Sequence, residues 1–195
     1  MDKLFKRLAQ KYKTPKQVQQ YLRKFEYNRE ESGITLRSAV EAIKRKKAHC
    51  YEAAFIAAAI LEHNGYPPLV MSLESQDGLD HVLYIFQQKK KWGAVGQSRD
   101  PGLFGREPLF RSIKDLAWSY FDPYIDGTSK VTAYQVAHLD ETRTNWRYSK
   151  RNVWQAEKYL LELPHHKLVS SKKRYKKILN NYLSKGSPTT GWGWW

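Results

Sequence analysis

The chain has 195 residues, a net charge of +15 and a single cysteine, Cys50, so it is long enough to bury a core as one domain and cannot form internal disulfide bonds. Its first residues contain no apolar run long enough for a secretory signal or a membrane span, so a cytoplasmic protein without membrane contact is expected. The sequence also contains no glycine-rich phosphate loop, zinc-finger spacing or dinucleotide-binding fingerprint, which removes support for the common nucleotide-dependent classes.

Three helices are predicted before the cysteine. The first spans about 2–11, and the second spans 15–25 behind a Thr14 cap, where proline at the first helical position reinforces the start. The third is expected to begin at Thr35, with apolar side chains facing inward and the lysine-rich segment 44–47 at its solvent-facing end. All three belong to a strongly basic flank.

The segment that follows predicts a central helix and then an antiparallel sheet. Residues 50–65 are apolar nearly all round and end at a glycine, which indicates a buried helix. The Pro- and Gly-rich stretch 99–108 is predicted to be an irregular loop with a functional role. The other predicted elements are strands at 69–75, 81–86, 91–98 and 131–139 and a helix at 112–120.

Two further helices are predicted near the end of the chain, and both are basic. One runs from a Ser149 cap to Pro164, and the other runs from a cap at Ser170 or Ser171 to about Gly186. The last residues lack periodicity and contain three tryptophans, which are costly to expose unless they dock on the protein or on a partner.

The positive charge is concentrated in the two flanks of the chain. Residues 1–47 and residues 146–195 each carry a net charge of +9, whereas residues 48–145 carry −3. The mildly acidic centre contains both Cys50 and His81. The flanks and the centre are therefore expected to have separate tasks.

Cys50 opens the central helix, and two interpretations of it are open. Unpaired N–H groups and the helix dipole favour negative charge at a helix N-terminus, so a thiol there forms a thiolate nucleophile more readily. Alternatively, Cys50 is a small apolar residue at the start of a buried helix, as free cysteines usually are. The chemical interpretation needs a base, and His81 at the start of a predicted strand is the candidate.

The order of these features resembles the transglutaminase-like superfamily of papain-like thiol enzymes. A helix led by Cys50, a turn with Gly65, a strand beginning with His81 and a strand containing Trp92 succeed one another within roughly residues 45–100. In that superfamily a Cys, a His and an Asp form the site, and the cysteine attacks a carboxamide or ester carbonyl. The resemblance implies that Cys50 is the nucleophile and His81 the imidazole that activates it.

The third member of the site is open. The superfamily places its Asp about four residues after the tryptophan, where this chain has Gly96. The nearest substitutes are Gln97, Ser98 and Asp100, since an amide, a hydroxyl and a carboxylate can each accept a hydrogen bond from an imidazole. Asp100 is the favoured candidate because a carboxylate stabilises an imidazolium best; alternatively it is a turn-forming residue before Pro101.

The resemblance implies a thiol hydrolase or acyltransferase that works through a Cys50 thioester. Water as acceptor would make it a peptidase, amidase or deamidase acting on a protein or peptide carboxamide, and a lysine amine would make it a crosslinking enzyme. No cofactor and no metal are expected for this chemistry. His49 and Cys50 are adjacent, but two residues fall short of the three or four ligands that zinc requires.

The resemblance also implies an α+β fold with a papain/transglutaminase-like core, in which the helix bearing Cys50 packs on a small antiparallel sheet, with extra basic helices at both ends. We expect one domain at 1–185 and a Trp-rich tail at 186–195. Within the domain we expect a basic helical part at 1–47, the transglutaminase-like core at 48–145 and basic C-terminal helices at 146–185.

A competing hypothesis makes the protein a non-enzymatic module that binds nucleic acid or another acidic partner on the same scaffold. Its support is the charge of the flanks and their interleaved aromatic residues, which could neutralise phosphates and stack on bases. Basic helices are, however, commonly just solvated surfaces. Binding that weakens strongly with added salt would distinguish this hypothesis from the enzyme.

Overall fold

The computed structural model describes residues 2–126 and 129–186, and the Trp-rich tail lies outside them apart from Gly186. The described chain is an α+β protein with an antiparallel sheet, as expected. Among the helices in these ranges, none has the length and apolarity needed to cross a bilayer. The helices are α1 (Asp2–Lys11), α2 (Pro15–Leu22), α3 (Ala39–Arg45), α4 (Cys50–Leu61), α5 (Ile113–Trp118), α6 (Phe121–Tyr124), α7 (Trp154–Glu162) and α8 (Lys172–Lys185). The strands are β1 (Glu26–Tyr27), β2 (Lys47–Ala48), β3 (Leu69–Ser75), β4 (His81–Gln88), β5 (Lys91–Val95), β6 (Arg106–Phe110), β7 (Val131–His138) and β8 (His166–Lys167).

Six of these strands form one antiparallel sheet in the order β6–β5–β4–β3–β7–β8. β3 and β4 are joined by a short turn, and Leu73 of β3 lies opposite His81 at the start of β4. β5 pairs with the other edge of β4, with Tyr84 opposite Val95. The neighbours on both sides hold β4 in the middle of the sheet, so the position of His81 is well determined.

Helices cover both faces of this sheet. Every residue of α4 from Tyr51 to Leu61 is buried, because α4 lies between the sheet and α1, α2 and α3. The apolar residues around α4 form one core, and Val82 and Tyr84 of β4 face it. Leu83 and Ile85 of β4 face a second core on the other side of the sheet, formed with α5, α6 and the inner side of α8. The basic helices α1 and α8 therefore lie on opposite faces of the sheet.

Two helices begin later than the sequence predicts. α3 starts at Ala39 and not at Thr35, because the preceding segment is held as a loop by hydrogen bonds to Glu52. α7 starts at Trp154 and not behind a Ser149 cap, because the Ser149 hydroxyl donates to a carbonyl two residues further on. In both cases a hydrogen bond between a side chain and the backbone outcompetes the helical pattern.

The segment 99–108, predicted to be an irregular loop, is only partly irregular. A single 3₁₀ turn occupies Pro101–Leu103, and β6 begins at Arg106, which pairs with Ala94 of β5. Gly105 is required by a close approach, since a Cβ there would lie 2.4 Å from the Ala94 carbonyl oxygen. The glycine thus lets this segment pack tightly against the sheet.

Candidate active site

Cys50 lies in the first turn of α4, as the sequence predicts. His49 is the N-cap residue, and its Nδ1, in the neutral ring, accepts the Tyr51 N–H at 3.2 Å. The N–H groups of a first turn have no acceptor within the helix, and they stabilise negative charge together with the helix dipole. The Cys50 side chain is half-buried, so it combines a favourable local field with access to solvent.

Glu52, also in the first turn of α4, is fully buried and holds one wall of the site. Its carboxylate accepts the N–H groups of Arg37 at 2.9 Å and His49 at 3.2 Å. The side chains of Asn28 and Thr35 donate to it at 3.3 Å each. Glu52 therefore fixes both the start of α4 and the loop between β1 and α3.

His81 is buried at the start of β4, and the structure brings it to Cys50. Its Nε2 lies 2.8 Å from the carbonyl oxygen of Leu103. A carbonyl can only accept a hydrogen bond, so Nε2 carries a proton. Nδ1 is therefore the ring nitrogen left to interact with the Cys50 thiol, and His81 lowers the pKa of that thiol. The result is a line of contacts from a backbone carbonyl through an imidazole to a sulfur.

Two imidazoles control the charge of the Cys50 sulfur. Burial alone would raise the pKa of the thiol, but hydrogen bonds and charge from His49 and His81 lower this pKa to about 5. Burial also disfavours the charged ring of His49, yet its hydrogen bond to Cys50 and the negative charges of Cys50 and Glu52 raise the pKa of His49 to about 9. At pH values between these two, the Cys50 thiolate and the charged His49 ring are favoured together, and in that form His49 Nδ1 carries a proton and no longer accepts the Tyr51 N–H.

The sulfur adjoins a cleft of about 790 Å³. The walls come from the β1–α3 loop, the β3–β4 turn, the loop before β6, α6 and one side of α7. Four large apolar side chains among its lining residues are exposed to solvent, namely those of Ile34, Leu79, Trp154 and Leu161. Within residues 2–126 and 129–186, no cluster of three or more His, Cys, Asp and Glu side chains is arranged to hold a metal ion.

The three candidates for the third member of the site make other contacts. The Asp100 carboxylate is half-exposed and pairs with the neighbouring arginine at 3.1 Å. The Gln97 amide donates to a backbone carbonyl at 3.0 Å, and the Ser98 hydroxyl accepts the Asp100 N–H at 3.1 Å. In this geometry the position of the orienting group at His81 is filled by the Leu103 carbonyl. The role of Asp100 stays a prediction.

Gly96, four residues after Trp92, is buried. The fully buried Gln19 side chain donates to its carbonyl at 2.8 Å and accepts its N–H at 2.9 Å. A Cβ at Gly96 would lie 2.3 Å from Cδ2 of Leu83. A carboxylate at this position would force the fully buried Leu83 side chain to shift.

We accordingly expect Gly96→Asp to destabilise the protein and not to create a triad. Overpacking a well-filled site costs ~1–3 kcal/mol, and a buried carboxylate adds a desolvation penalty to that cost. Urea unfolding of the variant would measure the loss, with Gly96→Ala as the control that adds the Cβ alone. A Gly96→Asp protein as stable as the wild type would contradict the steric argument.

Three groups of the site were not singled out from the sequence as parts of it. The sequence suggests His49 as a source of positive charge or a metal ligand beside Cys50, and the spacing from His49 to Glu52, which is that of a capping box, is the signal that ties these two residues together. The Leu103 carbonyl has no sequence signal at all, because every residue carries a carbonyl. Such a group becomes visible only when the fold places it.

No family model fits the sequence, and no curated protein is significantly similar to it. The likeness to the transglutaminase-like superfamily therefore rests on the residues themselves.

Proposed function

We propose that this protein is a thiol hydrolase or acyltransferase of the transglutaminase-like kind, acting through a thioester on Cys50. The observation that carries the proposal is the Cys50 sulfur at a helix N-terminus, in the same cleft lining as His49 and His81, which lower its pKa. The proposal includes the finer fold assignment, in which α4 with β3, β4 and β5 corresponds to the papain-like core. The antiparallel sheet and the buried cysteine helix support it.

The chemistry follows from the protonation states. Above about pH 5 the Cys50 thiolate attacks the carbonyl carbon of a bound carboxamide, and the carbonyl oxygen becomes an oxyanion. The Cys50 N–H, which has no acceptor within the helix, is placed to donate to that oxyanion. His81 Nδ1, which takes the proton of the Cys50 thiol when the thiolate forms, gives that proton to the departing amine and leaves a thioester. It then removes a proton from the acceptor that attacks the thioester and releases the acyl group.

The apolar surface of the cleft favours a polypeptide as the substrate that carries the reacting carboxamide. Exposed large apolar side chains grouped at one cleft are typical of binding surfaces. Trp154 and Leu161 are on α7 and Leu79 is in the β3–β4 turn, so apolar surface is available on more than one wall. Water and a primary amine are both suitable acceptors for the thioester.

A burst experiment tests the proposal. We expect a p-nitrophenyl ester to release about one equivalent of nitrophenolate per chain in a fast phase, and intact-mass measurement to locate the acyl group on Cys50. Cys50→Ser should lose the fast phase. Adding hydroxylamine or a lysine analogue should accelerate the slow phase if amines are accepted. Acylation of the wild type no faster than that of a free thiol, or acylation elsewhere, would contradict the proposal.

The alternative, binding to nucleic acid or another acidic partner, has one specific support. The outward side of α8 carries exposed Lys172, Lys173, Lys176 and Lys177 in a helix whose inward side packs on the sheet. Because α1 and α8 lie on opposite faces, the two flanks do not simply add to one surface. Affinity for a single-stranded oligonucleotide that falls steeply with salt and disappears on changing these four lysines to glutamine would favour this alternative.

A further inference from the structure

We infer that Arg106 is a positioning residue, which fixes the Leu103 carbonyl and through it the imidazole of His81. It would thereby fill the structural role that an acid has in a Cys-His-Asp site. The inference deepens the proposed function and rests on it for its catalytic consequence. The geometric part, that Arg106 orients His81, stands on contacts alone.

The contacts form a set centred on one guanidinium. Arg106 is 1% exposed, and its Nη2 donates to the Gly102 carbonyl at 2.8 Å, while its Nη1 donates to the carbonyls of Phe104 at 2.8 Å and Gly105 at 3.2 Å. The carbonyl between Gly102 and Phe104 is that of Leu103, and it accepts from His81 at 2.8 Å. The guanidinium thus holds the residues on both sides of the carbonyl that orients the imidazole.

Tyr120 connects the same guanidinium to the same loop and to the histidine. Its ring centroid lies 4.0 Å from the guanidinium carbon of Arg106, and its hydroxyl donates to the Phe104 carbonyl at 3.0 Å. The ring also packs edge-on against the His81 imidazole, with centroids 6.2 Å apart. Arg106 and Tyr120 therefore clamp the loop before β6 and leave the imidazole a narrow range of orientations.

Arginine is suited to this role by its shape. A guanidinium presents five N–H donors in one plane, so it can hold several carbonyls of one loop at fixed directions, which a lysine ammonium cannot do. A buried cation is costly unless hydrogen bonds compensate for its lost hydration. The carbonyls of this loop provide that compensation. The loop and the cation consequently order each other.

The test observes His81 directly in the full-length chain. In the wild type we expect the His81 Nε2–H proton to exchange slowly and to give a resolved signal in ¹⁵N-histidine spectra, because it is buried and bonded to a carbonyl. Arg106→Lys and Arg106→Gln should lose this signal to fast exchange. In both variants the midpoint of the pH profile for Cys50 alkylation should rise by about 1 in pH.

Arg147→Gln is the matched control. Arg147 also stacks on an aromatic ring and bonds to Glu62 and Asp140, but it lies outside the cleft lining. Its loss should lower stability and leave both His81 readouts unchanged. If the Arg106 variants do not fold, Tyr120→Phe tests the inference in their place. This variant removes only the hydrogen bond from the Tyr120 hydroxyl to the loop before β6, and it should speed the exchange of the His81 Nε2–H proton.

Several results would overturn the inference. One is an unchanged His81 signal in folded Arg106 variants, or in Tyr120→Phe where those do not fold. Another is loss of the signal in Asp100→Asn, which would assign the orienting role to the carboxylate. An ordinary thiol pKa for Cys50 in the wild type would contradict the proposed function but not the inference about Arg106, which the His81 Nε2–H signal tests separately.

Discussion

Replacing His81 with alanine is expected to raise the pKa of the Cys50 thiol and to slow its alkylation by iodoacetamide at pH 6 by about tenfold. The thiol pKa of about 5 depends on hydrogen bonds and charge from two imidazoles, and the variant keeps only that of His49. A rise of the pKa from about 5 to about 7 would lower the thiolate fraction at pH 6 from about 90% to about 10%. The pH profile of the alkylation rate measures this change.

The same profile distinguishes a lost imidazole from a general loss of reactivity. A thiolate of higher pKa is intrinsically more nucleophilic, so at pH 9 the His81→Ala protein should react at least as fast as the wild type. The two profiles should therefore cross. His138→Ala, which changes an imidazole outside the cleft lining, is the control and should follow the wild-type profile. A wild-type profile with its midpoint near 8.5 that stays the same in His81→Ala would contradict the stabilisation of the Cys50 thiolate by His81.

Local signals in the sequence predicted most of the sheet and the position of Cys50 at the start of α4. β3 and β7 lie where they were predicted. Buried and less buried residues alternate along β7, β3 is buried over most of its length, and turn residues bound both strands. The Ser171 cap of α8 is confirmed, and its hydroxyl accepts the Arg174 N–H at 3.1 Å. Such features depend on neighbours within a few residues, so the sequence displays them directly.

The rest depends on partners that are distant in the chain. Glu52 reaches back to Asn28 and Arg37, and these bonds decide where α3 begins. A Cβ at Gly96 would clash with Leu83, and the Gln19 side chain that holds the Gly96 backbone by two hydrogen bonds is 77 residues away. Contacts of this length leave no period or spacing in the sequence, which is why the orienting group at His81 could not be deduced from it.

Glu52→Ala is expected to cost ~3–5 kcal/mol of unfolding free energy, the largest stability loss that we predict. The Glu52 carboxylate is fully buried and accepts from Arg37, His49, Asn28 and Thr35. Its removal leaves buried N–H groups and nearby positive charge without an acceptor, and breaking such a buried network is strongly destabilising. Urea unfolding followed by circular dichroism would measure the loss.

Two further variants serve as controls for Glu52→Ala. Glu52→Gln removes the charge and keeps the shape of the side chain, and Glu162→Gln removes the charge of an exposed carboxylate. Glutamine keeps the shape but offers a single acceptor oxygen, so Glu52→Gln should lose ~1–3 kcal/mol. Glu162 lies on α7 with its side chain 62% exposed and pairs with Lys158, and its change to glutamine should cost under ~0.5 kcal/mol. If Glu52→Ala were no more costly than Glu162→Gln, the buried carboxylate would not be holding the loop. In that case the wall of the cleft, and the His49 contact to Cys50, would need another support.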